Sequence, residues 1–148
     1  MSVLLLSDAP PIPEQGAGTD EWDLLQKEAL GLHRSGDYDR ALVVAGRALE
    51  VAEKKHGRDH PNVATSLNSL AESYRAQYKF AKAEPLYKRS LAIREKALGP
   101  DHPEVATSLH NLAELYWSQY QNAKAEPFYA RALAIREKAL GPRRCQPE

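Results

Sequence analysis

The chain has little of several things that commonly carry function. It holds one cysteine, Cys145, so it can form no internal disulfide. That usage suits a reducing compartment, and the cytoplasm is the expected location. Lys+Arg and Asp+Glu both total 20, which leaves no net field to gather nucleic acid or an anionic membrane. No apolar run approaches the roughly 20 residues needed to span a bilayer. Val3-Leu4-Leu5-Leu6 is too short for a secretion signal, lacks a basic flank and runs into Asp8 and Pro10-Pro11. A glycine-rich phosphate loop, a His-Glu-x-x-His helix and a nucleophile elbow are all missing. His56 and His60 are four residues apart, but Gly57 interrupts the helix on which they would share a face. Cys145 lies beside Arg143 and Arg144, which would acidify its thiol, yet no base neighbours it. The expectation is a protein that is no enzyme and needs neither cofactor nor metal.

What the chain does have is repetition. Residues 57–98 and 99–140 superimpose without a gap at a period of 42, and they differ at 12 of those 42 positions. A match that long at a fixed offset marks a repeat array. A more diverged copy lies upstream, where Leu25, Ala29, Leu32, Ala41, Leu49 and Gly57 take the offsets of Leu67, Ala71, Tyr74, Ala83, Leu91 and Gly99. The expected organisation is a Pro/Gly-containing leader (1–19), repeats over 20–56, 57–98 and 99–140, and a polar tail (141–148).

Each unit reads as two helices. Val63, Leu67, Leu70, Ala71 and Tyr74 recur at spacings of three and four, one face of a helix. The turn near Gln77-Tyr78-Lys79 ends it, and a second stripe runs through Ala83, Tyr87, Ser90, Leu91 and Leu98. Gly99 supplies a left-handed stop. Pro103 then opens the next helix at a position that needs no N–H, with Asp101 or His102 as its cap. Pro85 and Pro127 fall about a turn into their helices, so each helix is expected to begin late or to bend.

The small and aromatic positions Leu67, Leu70, Ala71, Tyr74, Phe80, Ala83, Tyr87, Ser90 and Leu91 resemble a tetratricopeptide repeat. The 42-residue period and the runs TSLNSLAE, AEPLYKRSLAIREKALGPDHP and TSLHNLAELY resemble the kinesin light chain subtype. The resemblance covers about 120 residues and implies an all-α fold, a right-handed superhelical array of three helix-turn-helix repeats. First helices would line a concave groove and second helices the convex side. The implied function is a protein–protein interaction scaffold that takes a peptide or protein segment in that groove.

By the resemblance, groove-facing positions are Asp23, Gln26, Leu30, His33 and Arg34 in the first unit. The second offers Thr65, Asn68, Glu72, Arg75 and Ala76, and the third Thr107, His110, Glu114, Trp117 and Ser118. Related grooves often use an asparagine to grip a peptide backbone, because an amide donates and accepts at once. Asn68 and Asn111 are the candidates, although the same amides could equally bond neighbouring helices. Trp117 offers an aromatic anchor, or else a cap on the core. Arg75 could pair with an acidic side chain. The clamp that holds acidic chaperone tails needs cationic side chains where this chain has Gln26, Asn68 and His110, which disfavours it. The groove reading therefore rests on Asn68, Glu72, Arg75, His110, Asn111, Glu114 and Trp117.

A reading of a different class comes from the end of the array. Phe128, Ala132, Ile135 and Ala139 follow a 4-3-4 spacing on the last helix, and no fourth unit follows to cover them. If that stripe is exposed, it marks an interaction surface. Phe128, Ile135 and Ala139 would then mediate self-association, with two copies covering each other as a homodimer.

Overall fold

The computed structural model describes residues 20–141; the leader, Cys145 and all of the tail beyond Gly141 lie outside the described residues. Six helices follow one another: α1 (Glu21–Arg34), α2 (Tyr38–His56), α3 (Pro61–Ala76), α4 (Phe80–Leu98), α5 (Pro103–Ser118) and α6 (Asn122–Leu140). Among the described residues there is no strand, and no helix is long and apolar enough to cross a membrane.

The helix boundaries follow from local chemistry. At the starts of α3 and α5 the imidazole Nδ1 of His60 and of His102 accepts the backbone N–H two residues on, each at 3.0 Å. Of the two candidate caps before α5, the side chain of His102 therefore does the work. Pro61 and Pro103 follow at the first helical position, where no N–H is missed. Gly57, Gly99 and Gly141 take positive φ just past the ends of α2, α4 and α6. The prolines do not delay their helices: α4 begins at Phe80 and α6 at Asn122, each five residues before its proline.

The turns inside the repeats carry strain in two units out of three. The first unit has Gly36 at its left-handed position, φ 85°; the same position in the next two is Tyr78 at 62° and Tyr120 at 61°. A side chain at positive φ collides with its own backbone, whereas glycine does not. Tyr120 is 92% exposed, so its ring contributes almost no packing in return. Tyr120→Gly should stabilise the protein by about 0.5–1 kcal/mol, read as a shifted urea midpoint at constant slope.

The hairpins stack in chain order into two layers. α1, α3 and α5 form one, linked by Gln26 to Ser69 and by Asn111 to Asn68, both at 3.1 Å. α2, α4 and α6 form the other, tied by Arg89–Glu53 and Arg131–Glu95, both at 2.7 Å. Small residues set the spacing. Ala71, Ala83, Ala113 and Ala125 are buried around Tyr87, Leu112 and Leu115, letting the helix backbones approach while the larger side chains fill the gaps. Ser90 donates to the carbonyl of Ala64 at 2.9 Å inside this core, so its hydroxyl is satisfied.

Two sequence expectations need correction here. His56 and His60 do meet: the turn after Gly57 folds back, and their rings stack with centroids 3.9 Å apart. Among the described residues no third ligand completes a metal set around them. Burial and the neighbouring His56 both hold the His60 imidazole below its ordinary pKa. A histidine depressed in the fold adds stability that is full above its unfolded pKa, about 6.5, and is lost as pH falls through the folded value. Melting temperature should therefore drop between pH 7.5 and 5, and less steeply in His60→Asn, whose amide can still cap α3.

The second correction concerns the last helix. Ile135 is 4% exposed, buried with Val105, Ala106, Leu109 and Ala132. Phe128 packs on the same cluster and stacks on Tyr116 at 5.6 Å. The 4-3-4 stripe is thus the side of α6 that meets α5, because α6 closes its own hairpin first. Only Ala139 of the three proposed self-association residues is exposed. The outward side of α6 carries Leu133 and Leu140 instead.

Candidate protein interaction face

Six of the seven groove residues, all but Trp117, come together in a seam along α3 and α5. Asn68 is almost buried; its amide N–H donates to Glu72 at 3.1 Å, and its oxygen accepts from Asn111 at 3.1 Å. Arg75 reaches Glu114 at 3.4 Å, and His110 Nε2 meets the other oxygen of Glu114 at 2.6 Å. Burial pushes the Glu72 carboxyl above its ordinary value, against the pull of His33 and Arg75. Beneath the seam the Tyr87 hydroxyl lies against Arg75, and burial drives its pKa well upward. Neither that hydroxyl nor Nε of Arg75 has a well-formed hydrogen bond among the described residues. His110 also contacts Tyr129 edge-on, with centroids 5.4 Å apart.

The amides are therefore committed to holding α3 and α5 together. Asn68 is the least available of the seven, whereas Arg75, His110, Asn111 and Glu114 are half-buried and reachable. Trp117 stands apart. It is 62% exposed, so it does not cap the core. Its ring borders a cleft of about 460 Å³ between the end of α5 and the start of α6, walled also by Ala125, Glu126 and Tyr129. A recess of about 550 Å³ at the start of α1 is lined by Asp20, Glu21, Arg47, Glu50 and two lysines, and none of the seven residues reaches it.

The sequence reading missed Arg94, which is the most connected side chain between repeats. It is 6% exposed and spans from Thr65 Oγ1 at 3.3 Å to Ser108 Oγ at 2.9 Å and the Glu104 carbonyl at 3.4 Å. The signal was available in the 42-residue register, since Arg94 recurs as Arg136 while the first unit has Ala52.

Helical hairpins stacked at a period of 42 residues define a helical repeat array. The family model for the tetratricopeptide repeat matches residues 24–96 and 68–138. The chain belongs to the tetratricopeptide repeat family, with repeats of the kinesin light chain type. BtubC (BKLC) from P. vanneervenii has a similar structure, with TM-score 0.73 and 28% identity over 83% of this chain and 50% of that one. A kinesin light chain-type protein of Podosopora anserina with nearly identical TPR-like repeats superimposes with TM-score 0.70 at 24% identity, over 79% of this chain and 56% of that one. These neighbours share the right-handed superhelical array of helix-turn-helix repeats expected from the sequence. In sequence, human nephrocystin-3 is 44% identical over 64 residues, which cover 42% of this chain and 5% of nephrocystin-3. The RxLR effector protein SFI4 of Phytophthora infestans is 32% identical over 97 residues, covering 59% of this chain and 29% of SFI4. The chain thus spans a small part of the length of these relatives.

Proposed function

We propose that the protein is a protein–protein interaction scaffold that holds a peptide or protein segment across the first-helix face of α3 and α5, anchored at Trp117. Tetratricopeptide repeats are generally non-catalytic scaffolds, which supports the coarse reading. The observation that carries the finer one is the exposed indole of Trp117, one helical turn from the half-buried pair His110–Glu114 and close to Arg75 through that pair. A large aromatic side chain next to polar groups that are already oriented is the composition of a binding hot spot. Asn111 contributes an amide at the edge of the seam, while Asn68 and Glu72 position it from beneath.

The test is affinity capture with the full chain beside a His110→Ala/Trp117→Ala variant of unchanged helicity. A specific partner should be held by the first and lost by the second, with affinity reduced by about 30-fold or more, as for truncation of a hot-spot residue. A partner held equally by both would remove this face from consideration.

A further inference from the structure

The 42-residue register places Leu30 on α1, Glu72 on α3 and Glu114 on α5 in one row along the groove side of the array. Glu72 has a unit on either side of it, so its surroundings owe nothing to the ends of the chain. Gln26 and His33 of α1 reach Ser69 at 3.1 Å and Ser73 at 3.3 Å. Those two contacts bracket Leu30 and bring its side of α1 alongside Glu72. Leu30 is 44% exposed there, an apolar surface within a polar groove.

The charges of this row do not balance. Glu114 is matched twice, by Arg75 at 3.4 Å and by His110 at 2.6 Å. Glu72 has no ion-pair partner among the described residues. Its Oε2 accepts only the neutral amide N–H of Asn68, at 3.1 Å. Its Oε1 accepts nothing among the described residues and is open to solvent. The His33 ring is turned to Ser73 and Tyr38 instead of to this carboxylate. With the histidines neutral, two carboxylates in the seam therefore face one guanidinium. Burial pushes the Glu72 pKa upward, the mark of a carboxylate whose charge is undercompensated.

We propose, on the groove reading given above, that the bound segment presents a lysine side chain to Glu72, with its ammonium on Oε1 and its aliphatic stem along Leu30. Lysine fits better than arginine because Asn68 already holds one carboxylate oxygen. A guanidinium fork is matched to both oxygens, whereas an ammonium is a point charge that needs one. The four-carbon stem of lysine lies along apolar surface while its charge stays at the tip. An acidic segment is disfavoured, since it would meet Glu72 unpaired and would have to take Arg75 from Glu114.

The probe is a set of random peptides displayed on phage and selected on the immobilised full chain. Clones that lose binding to His110→Ala/Trp117→Ala define the groove ligands. Those clones should share a lysine at one fixed position. As fluorescein-labelled peptides they should bind Glu72→Gln about tenfold more weakly than wild type, and the difference should shrink at high ionic strength. Glu72→Gln keeps the volume and an acceptor for Asn68, so it isolates the charge, and circular dichroism checks its helicity. Methionine in place of the peptide lysine should weaken binding to the wild-type chain and make no further difference against Glu72→Gln. Leu30→Ala should weaken binding by about threefold through lost contact with the stem. Groove clones that share no lysine, or that bind Glu72→Gln as tightly as wild type, overturn this inference and leave the groove reading standing. Absence of any clone sensitive to His110→Ala/Trp117→Ala removes the groove reading and this inference with it.

Discussion

Replacing Ile135 by aspartate should unfold the third repeat rather than separate a dimer. The side chain is 4% exposed and packed between α6 and α5 against Val105, Ala106 and Leu109. The substitution removes that packing and places a carboxylate where no cation stands among the buried neighbours. Cavity and desolvation costs together come to about 4–5 kcal/mol, a large share of the 5–15 kcal/mol that a domain of this size has in total. Circular dichroism should show lost helicity or a melting transition many degrees lower. A folded, monomeric Ile135→Asp protein with wild-type stability would contradict the packing described here. Leu133→Asp, on the opposite side of the same helix, is expected to melt close to wild type because its side chain is already more than half exposed.

Arg94 carries the second large effect. Its guanidinium ties α4 to both α3 and α5 and is nearly removed from solvent, which lowers its pKa through desolvation. Arg94→Ala should cost about 2–4 kcal/mol, because it opens a cavity and strands the hydroxyl of Ser108. Arg94→Met keeps most of the volume and carries no charge to desolvate, so it should cost less than half as much. The first unit already has an apolar residue, Ala52, at this position. Stacking at this position therefore does not require the charge as such. Urea denaturation of the two variants side by side decides it. Equal losses would mean that the hydrogen bonds dominate.

The structure also separates two kinds of residue within the proposed interaction face. Asn68 is buried and joins α3 to α5 through Asn111, with Glu72 holding its amide from the same helix, whereas Trp117, His110 and Arg75 are reachable from outside. Substitutions at the first pair should lower stability and affinity together. Those at the second should lower affinity with little change in melting temperature.

Much of this was determined by the sequence alone. The fixed period of 42, the helix stripes, the glycines past each hairpin and the prolines at helix starts are local or periodic features, and each has one physical solution. They set the number of helices, their order and their pairing. The identity of the small core residues was legible for the same reason, while the cap of α5 was narrowed to Asp101 or His102 and decided by the structure. What the sequence left open was direction. A 4-3-4 spacing says that Phe128, Ala132, Ile135 and Ala139 share a face, but α6 is apolar on two sides, and periodicity does not say which of them meets α5. The crossing of α6 on α5 decides that, burying Ile135 and leaving Leu133 outside. Asn68 was undecided in the same way. An amide can grip a peptide or a neighbouring helix with equal chemistry, and only the 3.1 Å approach of Asn111 across the stacked helices selects the second. His56 and His60 met because a turn, which has no period to read, brought the end of α2 back over the start of α3. Periodicity fixes what lies on a helix; the distances between helices fix what each side chain is left free to do.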